Sequence, residues 1–159
     1  MEDQPNTEAL VPAKLDAKDR TLLRHLAQDA TRSYAELGRL IHLSAPAVHE
    51  RVKRLKADGV IKATVAVIDG IKIGRPLLAF VHVDTTNYAL TQQLVALKEF
   101  DEVEEIHTVT GESAMLMKIR TRDTRTLEAL LARIHAFEGF HSTKSYIALT
   151  TFLERGPGA

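Results

Sequence analysis

The sequence predicts an α+β protein built in two parts, and three observations carry that prediction. Ser33 to Ile61, SYAELGRLIHLSAPAVHERVKRLKADGVI, reads as helix, tight turn, helix, stop. From Leu77 onward the apolar pattern alternates strand, helix, strand, strand, helix, strand. Between the two lies Asp69 to Pro76, DGIKIGRP, whose two glycines and proline mark a hinge. A length of 159 residues with 45% hydrophobic content suits one medium domain or two small ones, each with a core of its own.

The N-terminal part follows in order. Residues 1–13 hold three acids, two prolines and no base, without periodicity, which predicts a disordered tail. Leu15-Asp16 opens the first helix, with Asp16 as N-cap and Leu22, Leu23 and Leu26 on its buried side. Asp29 to Arg32 is a loop. Ser33 followed by Glu36 is a capping box, in which each side chain satisfies an orphan backbone donor at a helix start. Leu37, Leu40 and Ile41 form one apolar stripe, and His42-Leu43-Ser44 leaves room only for a sharp turn. Ser44 caps the next helix, with Pro46 in its first turn, where a missing N–H costs nothing. Val48, Val52 and Leu55 fall at i, i+4, i+7 and face inward, which leaves Pro46, Ala47, His49, Glu50, Lys53 and Arg54 outside. Gly59 stops the helix as a left-handed residue. Val60 to Ile68, VIKATVAVI, is β-branched with partial alternation and predicts a strand or wing. The expectation is a winged helix-turn-helix over residues 14–62, followed by a linker strand or hinge over 63–75.

Residues 76–154 predict a second domain, with 155–159 as a tail. Leu77 to Asp84 is a strand. Thr86 or Asn87 caps a helix carrying Leu90, Leu94 and Leu97. Val103 to Thr110 and Ser113 to Arg120 are strands joined at Gly111-Glu112. Asp123 or Thr124 caps a helix with Leu127, Leu130, Leu131, Ile134 and Phe137 on one stripe, each worth roughly 1.5–3 kcal/mol if buried. Gly139 stops it, and His141 to Leu153 is the last strand. The order βαββαβ is a ferredoxin-like split βαβ. Its first strand is apolar on both faces, Leu77, Ala79, Val81 and Val83 against Leu78 and Phe80, and the Ala114/Leu116 face is apolar as well as the Met115/Met117/Ile119 face. Such strands need cover on both sides, which predicts a sheet-to-sheet homodimer.

Two helices joined by a short turn, the second with an apolar back and a basic front of small residues, have the geometry that enters a DNA major groove. The net charge is zero, yet residues 14–62 hold eleven Lys and Arg against six Asp and Glu, so the basic excess sits on the motif. The predicted DNA-binding residues are Ser33, Ser44, Ala45, Pro46, Ala47, His49, Glu50, Arg51, Lys53 and Arg54. Ala45 and Ala47 suit thymine methyls, and His49 and Lys53 suit purine acceptors or phosphates. Arg51 and Arg54 are assigned to phosphate or to Glu36 and Glu50, with the alternative that Arg51 locks the helices together. Two recognition helices in a dimer predict a near-palindromic site.

Other chemistry finds little support. There are no cysteines, hence no disulfide, cysteine-based zinc site or thiol nucleophile. The seven histidines show no helical ligand spacing, so no metal and no cofactor is expected. Met115 and Met117 read as core or interface filler. The acidic run Asp101-Glu102-Val103-Glu104-Glu105 reads as a solvated strand edge rather than paired catalytic carboxylates. No phosphate loop or nucleophile elbow is present. No signal peptide or apolar run of membrane-spanning length appears, so the default is a soluble cytoplasmic protein, not an enzyme and with no membrane partner.

These residues resemble the Lrp/AsnC (leucine-responsive, feast-or-famine) family of transcription factors. The likeness rests on Leu15-Asp16 with Asp19, Ala35-Glu36-Leu37, Leu43-Ser44, Glu50-Arg51-Val52 with Arg54-Leu55, Gly59-Val60-Ile61 and Val109-Thr110-Gly111-Glu112, and runs from Leu15 to about Leu153. The resemblance implies a winged helix joined by a strand to a ferredoxin-like effector domain, dimers often assembled into octamers, and an amino acid or related metabolite bound at a subunit interface. Carried over by position, the effector-binding residues are Gly111, Glu112, Ser113 and Ala114. Two departures stand out. His42 occupies a turn position where the family often has glycine; histidine tolerates the left-handed conformation better than most residues. The effector turn, usually Gly-Asp-Tyr-Asp, here lacks the tyrosine and the second carboxylate. Gly111 retains backbone N–H groups for a carboxylate, and Glu112 suits an amino group. Two alternatives stay open: a siroheme decarboxylase-like enzyme of the same fold, using His107 or His141, and an architectural DNA-binding protein of low specificity.

Overall fold

The computed structural model describes residues 12–86 and 94–158, with the side chains of the second stretch described from Ala96 onward. Its chain divides into two compact units, one running through Ala66 and taking in the residues from Glu154, the other spanning Val67–Leu153.

The first unit is three helices around one small core. Helix α1, Ala17–Gln28, begins at a reciprocal box in which the Asp16 carboxylate accepts from the Asp19 N–H while Asp19 accepts from the Asp16 N–H. Helix α2, Tyr34–Ile41, begins at the Ser33–Glu36 box. Helix α3, Ala45–Ala57, begins at Ser44 with proline in the first turn. Leu22, Leu37, Ile41, Val48, Val52 and Leu55 are buried together, with Leu15, Leu23, Leu26, Leu43, Val60 and Ile61 packed around them. The expected stripe on α2 is narrower than its periodicity suggests: Leu37 and Ile41 are buried, but Leu40 is 48% exposed. Three helices of this length close around one residue per turn, and Leu40 lies beyond the seam.

No strand or wing forms over Val60–Ile68. Residues 62–69 carry no regular structure, and Val65, Val67 and Ile68 are exposed. β-branched content suits a strand, but a strand exists only where a neighbouring backbone completes its hydrogen bonds, and among the described residues none does so here. Asp69–Arg75 is a hydrogen-bonded turn: the Asp69 carboxylate accepts from the N–H groups of Ile71 and Lys72, and the Arg75 N–H donates to the Gly70 carbonyl at 2.7 Å.

The second unit is an antiparallel sheet of β1 (Leu77–Thr85), β2 (Val103–Thr108), β3 (Met115–Thr121) and β4 (Phe140–Ile147) in the order β2-β3-β1-β4. Helix α4, Thr124–His135, and a 3₁₀ helix, Leu94–Glu99, are its helical elements among the described residues. The capped start of the helix expected after Thr86, with Leu90, lies outside the described residues. One sheet face, with Ala79, Val81, Val83, Met115, Met117 and Ile119, is buried with Leu97, Leu127, Leu130 and Ile134. Leu131 and Phe137 pack against this core but stay partly exposed, so their burial is worth less than the full value for a buried side chain. The last strand ends at Ile147, not Leu153. Ala148 donates one further bond to Leu78, after which Leu149, Phe152 and Leu153 are exposed with no ladder to join.

The opposite sheet face is mixed rather than uniformly apolar. Leu78, Phe80 and Leu116 share it with His82, Lys118, Arg120, Lys144 and Tyr146. The acidic run is likewise more than a solvated edge. Glu104 pairs with Arg120 and Lys118, Glu105 with Lys118 and His107, and Glu102 with Arg133. Among the described residues no helix is long and apolar enough to cross a membrane.

Candidate functional site

The turn between α2 and α3 is tight enough to dictate the residue at Gly38 and the backbone conformation at His42. The Leu43 N–H donates to the Gly38 carbonyl at 2.8 Å, bringing the Leu43 carbonyl oxygen onto the space a side chain at Gly38 would need. Only glycine fits there. His42 closes α2 in the left-handed conformation, at φ 55° and ψ 53°, and its carbonyl accepts from Lys18 Nζ.

On α3 successive residues turn by about 100°. Val48, Val52 and Leu55 define the buried back; Pro46, Glu50 and Lys53 fall opposite them, and all three are exposed. His49 lies on the flank toward α2, where its ring sits 5.5 Å from that of Tyr34 and its Nδ1 3.3 Å from the Glu50 carboxylate. Ala45 and Ala47 are half-buried beside the exposed Ser44, whose hydroxyl accepts from the Ala47 N–H. Ser33 is exposed at the N-terminus of α2, but its hydroxyl and N–H are both engaged by Glu36. That contact, with the Ser33 hydroxyl foremost, holds the Glu36 carboxyl below its ordinary value.

Arg51 and Arg54 point to the other flank, and neither pairs with Glu36 or Glu50. Arg51 Nη1 lies 2.7 Å from both Asp16 Oδ2 and Asp19 Oδ1, and Arg54 Nη2 lies 2.6 Å from Asp19 Oδ2. The lock is therefore between α3 and α1. The Asp16 contact, then that of Asp19, pushes the Arg51 guanidinium further up, while the Asp19 N–H and Arg51 hold the Asp16 carboxyl down. Sequence reasoning placed Asp16 and Asp19 at a helix start and assigned Arg51 and Arg54 to phosphate or to Glu36 and Glu50; the alternative of Arg51 as a lock between helices anticipated the role but not the partners. The missed signal is the matched i, i+3 spacing of two acids and two bases.

In the second unit, Gly111 to Ala114 form the connection between β2 and β3. Gly111 adopts φ 118°, a conformation that side chains disfavour. The Ala114 N–H donates to the Val83 carbonyl and the Val109 N–H to that of Ala114. Ser113 is buried, while Glu112 projects outward. Its carboxylate meets an amino group of the chain itself, Lys144 Nζ at 3.2 Å, which pushes the lysine up from its ordinary value. His107 and His141 lie on the two edge strands of the sheet, and His107 is bound to Glu105 at 3.0 Å. Among the described residues, no three of His, Cys, Asp and Glu are grouped to hold a metal.

Comparison with known proteins agrees with this two-part reading. Residues 15–56 match the model of the AsnC-type helix-turn-helix domain, and residues 78–157 that of the Lrp/AsnC ligand binding domain. The transcriptional regulator LrpA of Mycobacterium tuberculosis is 36% identical over 87% of this chain and 92% of its own length. The structure of E. coli AsnC, 25% identical, superposes with a TM-score of 0.84 over 92% of this chain and all of that one. A Neisseria meningitidis transcriptional regulator solved in complex with L-Met shares the fold, with a TM-score of 0.84 at 21% identity over 89% and 94% of the two chains. With both halves matched in order, the chain belongs to the Lrp/AsnC family of helix-turn-helix transcriptional regulators.

Proposed function

We infer that this regulator reads double-stranded DNA through α3, as a homodimer or an assembly of dimers, and that a small metabolite of the amino-acid class modulates it. The observation that carries the DNA reading is the exposed front of α3, Pro46, Glu50 and Lys53 flanked by His49, set opposite a fully packed back. Ser44, Ala45 and Ala47 bring the helix N-terminus and two methyl groups to the same end, where phosphate and thymine are recognised. Arg51 and Arg54 belong to this set as holders of the helix, and Ser33 as its neighbour at the start of α2. Protein selected against a randomised duplex pool at physiological salt should enrich a near-palindromic sequence. Binding all duplexes alike would instead mark an architectural protein.

Support for a second copy comes from the apolar residues the chain leaves uncovered: Phe80 and Tyr146 on the outer sheet face, and Val65, Val67, Ile68, Ile71 and Ile73 along the segment that precedes β1. The effector reading rests on the match of residues 78–157 to a ligand binding domain and on Gly111, Glu112, Ser113 and Ala114 forming the turn that resembles the family's effector turn. Binding there must compete with Lys144 for Glu112, so an effector's ammonium group displaces that lysine and leaves it for the effector's carboxylate. Thermal unfolding in the presence of each of the twenty amino acids tests this, because a ligand at a hundred times its dissociation constant adds about 2.7 kcal/mol. A flat result across the panel removes the amino-acid assignment. Such a regulator works where DNA is, in the cytoplasm, and carries out no reaction of its own.

A further inference from the structure

Among the described residues Asp19 is the only charged side chain that is buried, at 1% exposure. A buried carboxylate is costly unless every oxygen is paired, and here both are. Oδ1 accepts from Arg51 Nη1 at 2.7 Å; Oδ2 accepts from Arg54 Nη2 at 2.6 Å and from the Asp16 N–H at 3.1 Å. Asp16 returns the contact to Arg51 at 2.7 Å and to the Asp19 N–H at 2.7 Å. Four residues thus tie the first turn of α1 to two points on α3 nearly one turn apart. Rolling α3 about its axis, or sliding it, breaks both guanidinium contacts at once, whereas the apolar contacts of Val48, Val52 and Leu55 are non-directional and tolerate a small roll. Base edges are read by hydrogen bonds within a few tenths of an ångström, so roll and axial register matter most on the exposed front of α3. The clamp also holds two guanidiniums that otherwise attract phosphate without regard to sequence.

We propose that Asp19 is a positioning residue for sequence reading: through Arg51 and Arg54 it sets the roll and axial register of α3 and withholds both guanidiniums from the phosphate backbone. The proposal rests on the DNA reading above and goes beyond it, since Asp19 itself touches no nucleic acid. The test compares a duplex selected by the wild-type full-length protein with a duplex of random sequence, each titrated across a salt series. In Asp19→Asn, checked for folding by circular dichroism, the ratio of selected to random affinity falls at least about tenfold. Its salt slope on random DNA steepens by up to about 0.9 for each guanidinium released. Should Asp19→Asn fail to fold, Arg54→Gln serves, since that side chain is half-exposed. It lowers the ratio less, with the random-duplex slope unchanged. Arg51→Lys keeps part of the ratio that Arg51→Gln loses. An unchanged ratio in a folded variant overturns the proposal. So does a slope that flattens by about 0.9 in Arg51→Gln or Arg54→Gln, which would make those residues phosphate contacts. If the wild type selects no duplex over random, the DNA reading itself fails and takes this one with it.

Discussion

Gly38 and His42 show how tightly a three-residue turn constrains single positions. A methyl group at Gly38 runs into the Leu43 carbonyl, a backbone atom that cannot swing aside. Gly38→Ala is therefore expected to cost about 1–3 kcal/mol, the usual penalty for overpacking, read as a lower melting temperature. His42 presents the opposite case. Its left-handed backbone at φ 55° is strained for any residue with a Cβ. His42→Gly relieves that strain while adding freedom to the unfolded chain, for a net gain of about 0.5–1 kcal/mol. A variant less stable than the wild type in urea would show that the His42 side chain makes a contact that outweighs the strain. His42 was visible in the sequence as a turn residue. The requirement for glycine at Gly38 was not, because it depends on where the Leu43 carbonyl lands after the turn is made.

At the scale of elements, the helix starts are the most chemically explicit features of the chain. Asp16, Glu36 and Asp123 each sit at a helix N-terminus and are held below their ordinary values by donors there. For Asp123 the donors are the Thr126 N–H, the Thr126 hydroxyl and Arg122, and they bring it from 3.8 to about 2. A carboxylate depressed in the folded state binds its proton more readily when unfolded. The stabilisation is then fully present above its unfolded value and is lost as pH falls toward the folded one. Stability measured by urea unfolding should fall between pH 3.8 and about 2, and Asp123→Asn should flatten that slope. A slope the variant leaves untouched would assign acid sensitivity elsewhere. On α3 the exposed Lys53 is the cation placed on the front. Lys53→Gln should weaken binding to all duplexes alike and reduce the salt slope by about 0.9, measured by anisotropy titration; an unchanged slope would place Lys53 off the backbone. Caps and the apolar back of α3 were legible because they are local, set by residues within four positions of one another. The partners of Arg51 and Arg54 lie more than thirty residues away and were not.

For the whole molecule, exposed apolar side chains collect on the outer face of the sheet, at Phe80 and Tyr146, and along residues 65–73, and a second copy is the cover proposed for them. Phe80, opposite Lys118 and Tyr146 in the sheet register, is the apolar centre of that face. If the proposed homodimer forms through this face, Phe80→Lys adds a charge beside Lys118 and should weaken self-association at least tenfold in sedimentation velocity while the monomer stays folded. An unchanged assembly would move the contact to the exposed residues at 65–73.

What the sequence determined by itself was everything with a short range or a fixed period: the capped helices, the back of α3, the strand alternation, the turn at Gly111 and the family they resemble. Periodicity reports which side of an element is apolar, and capping reports where it begins; both are written in neighbouring residues. What only the tertiary structure decided was pairing. Val60–Ile68 has the composition of a strand, yet a strand is a relation between two backbones, and among the described residues no second one pairs with it. Leu40 has the period of a core residue but lies past the seam. The outer sheet face proved mixed because β3 and β4 bring Lys118, Arg120 and Lys144 beside Leu78 and Phe80. Asp19 acquired its partners when folding carried Arg51 and Arg54 onto it. Long-range electrostatic partners are chosen by topology, and no local pattern encodes them.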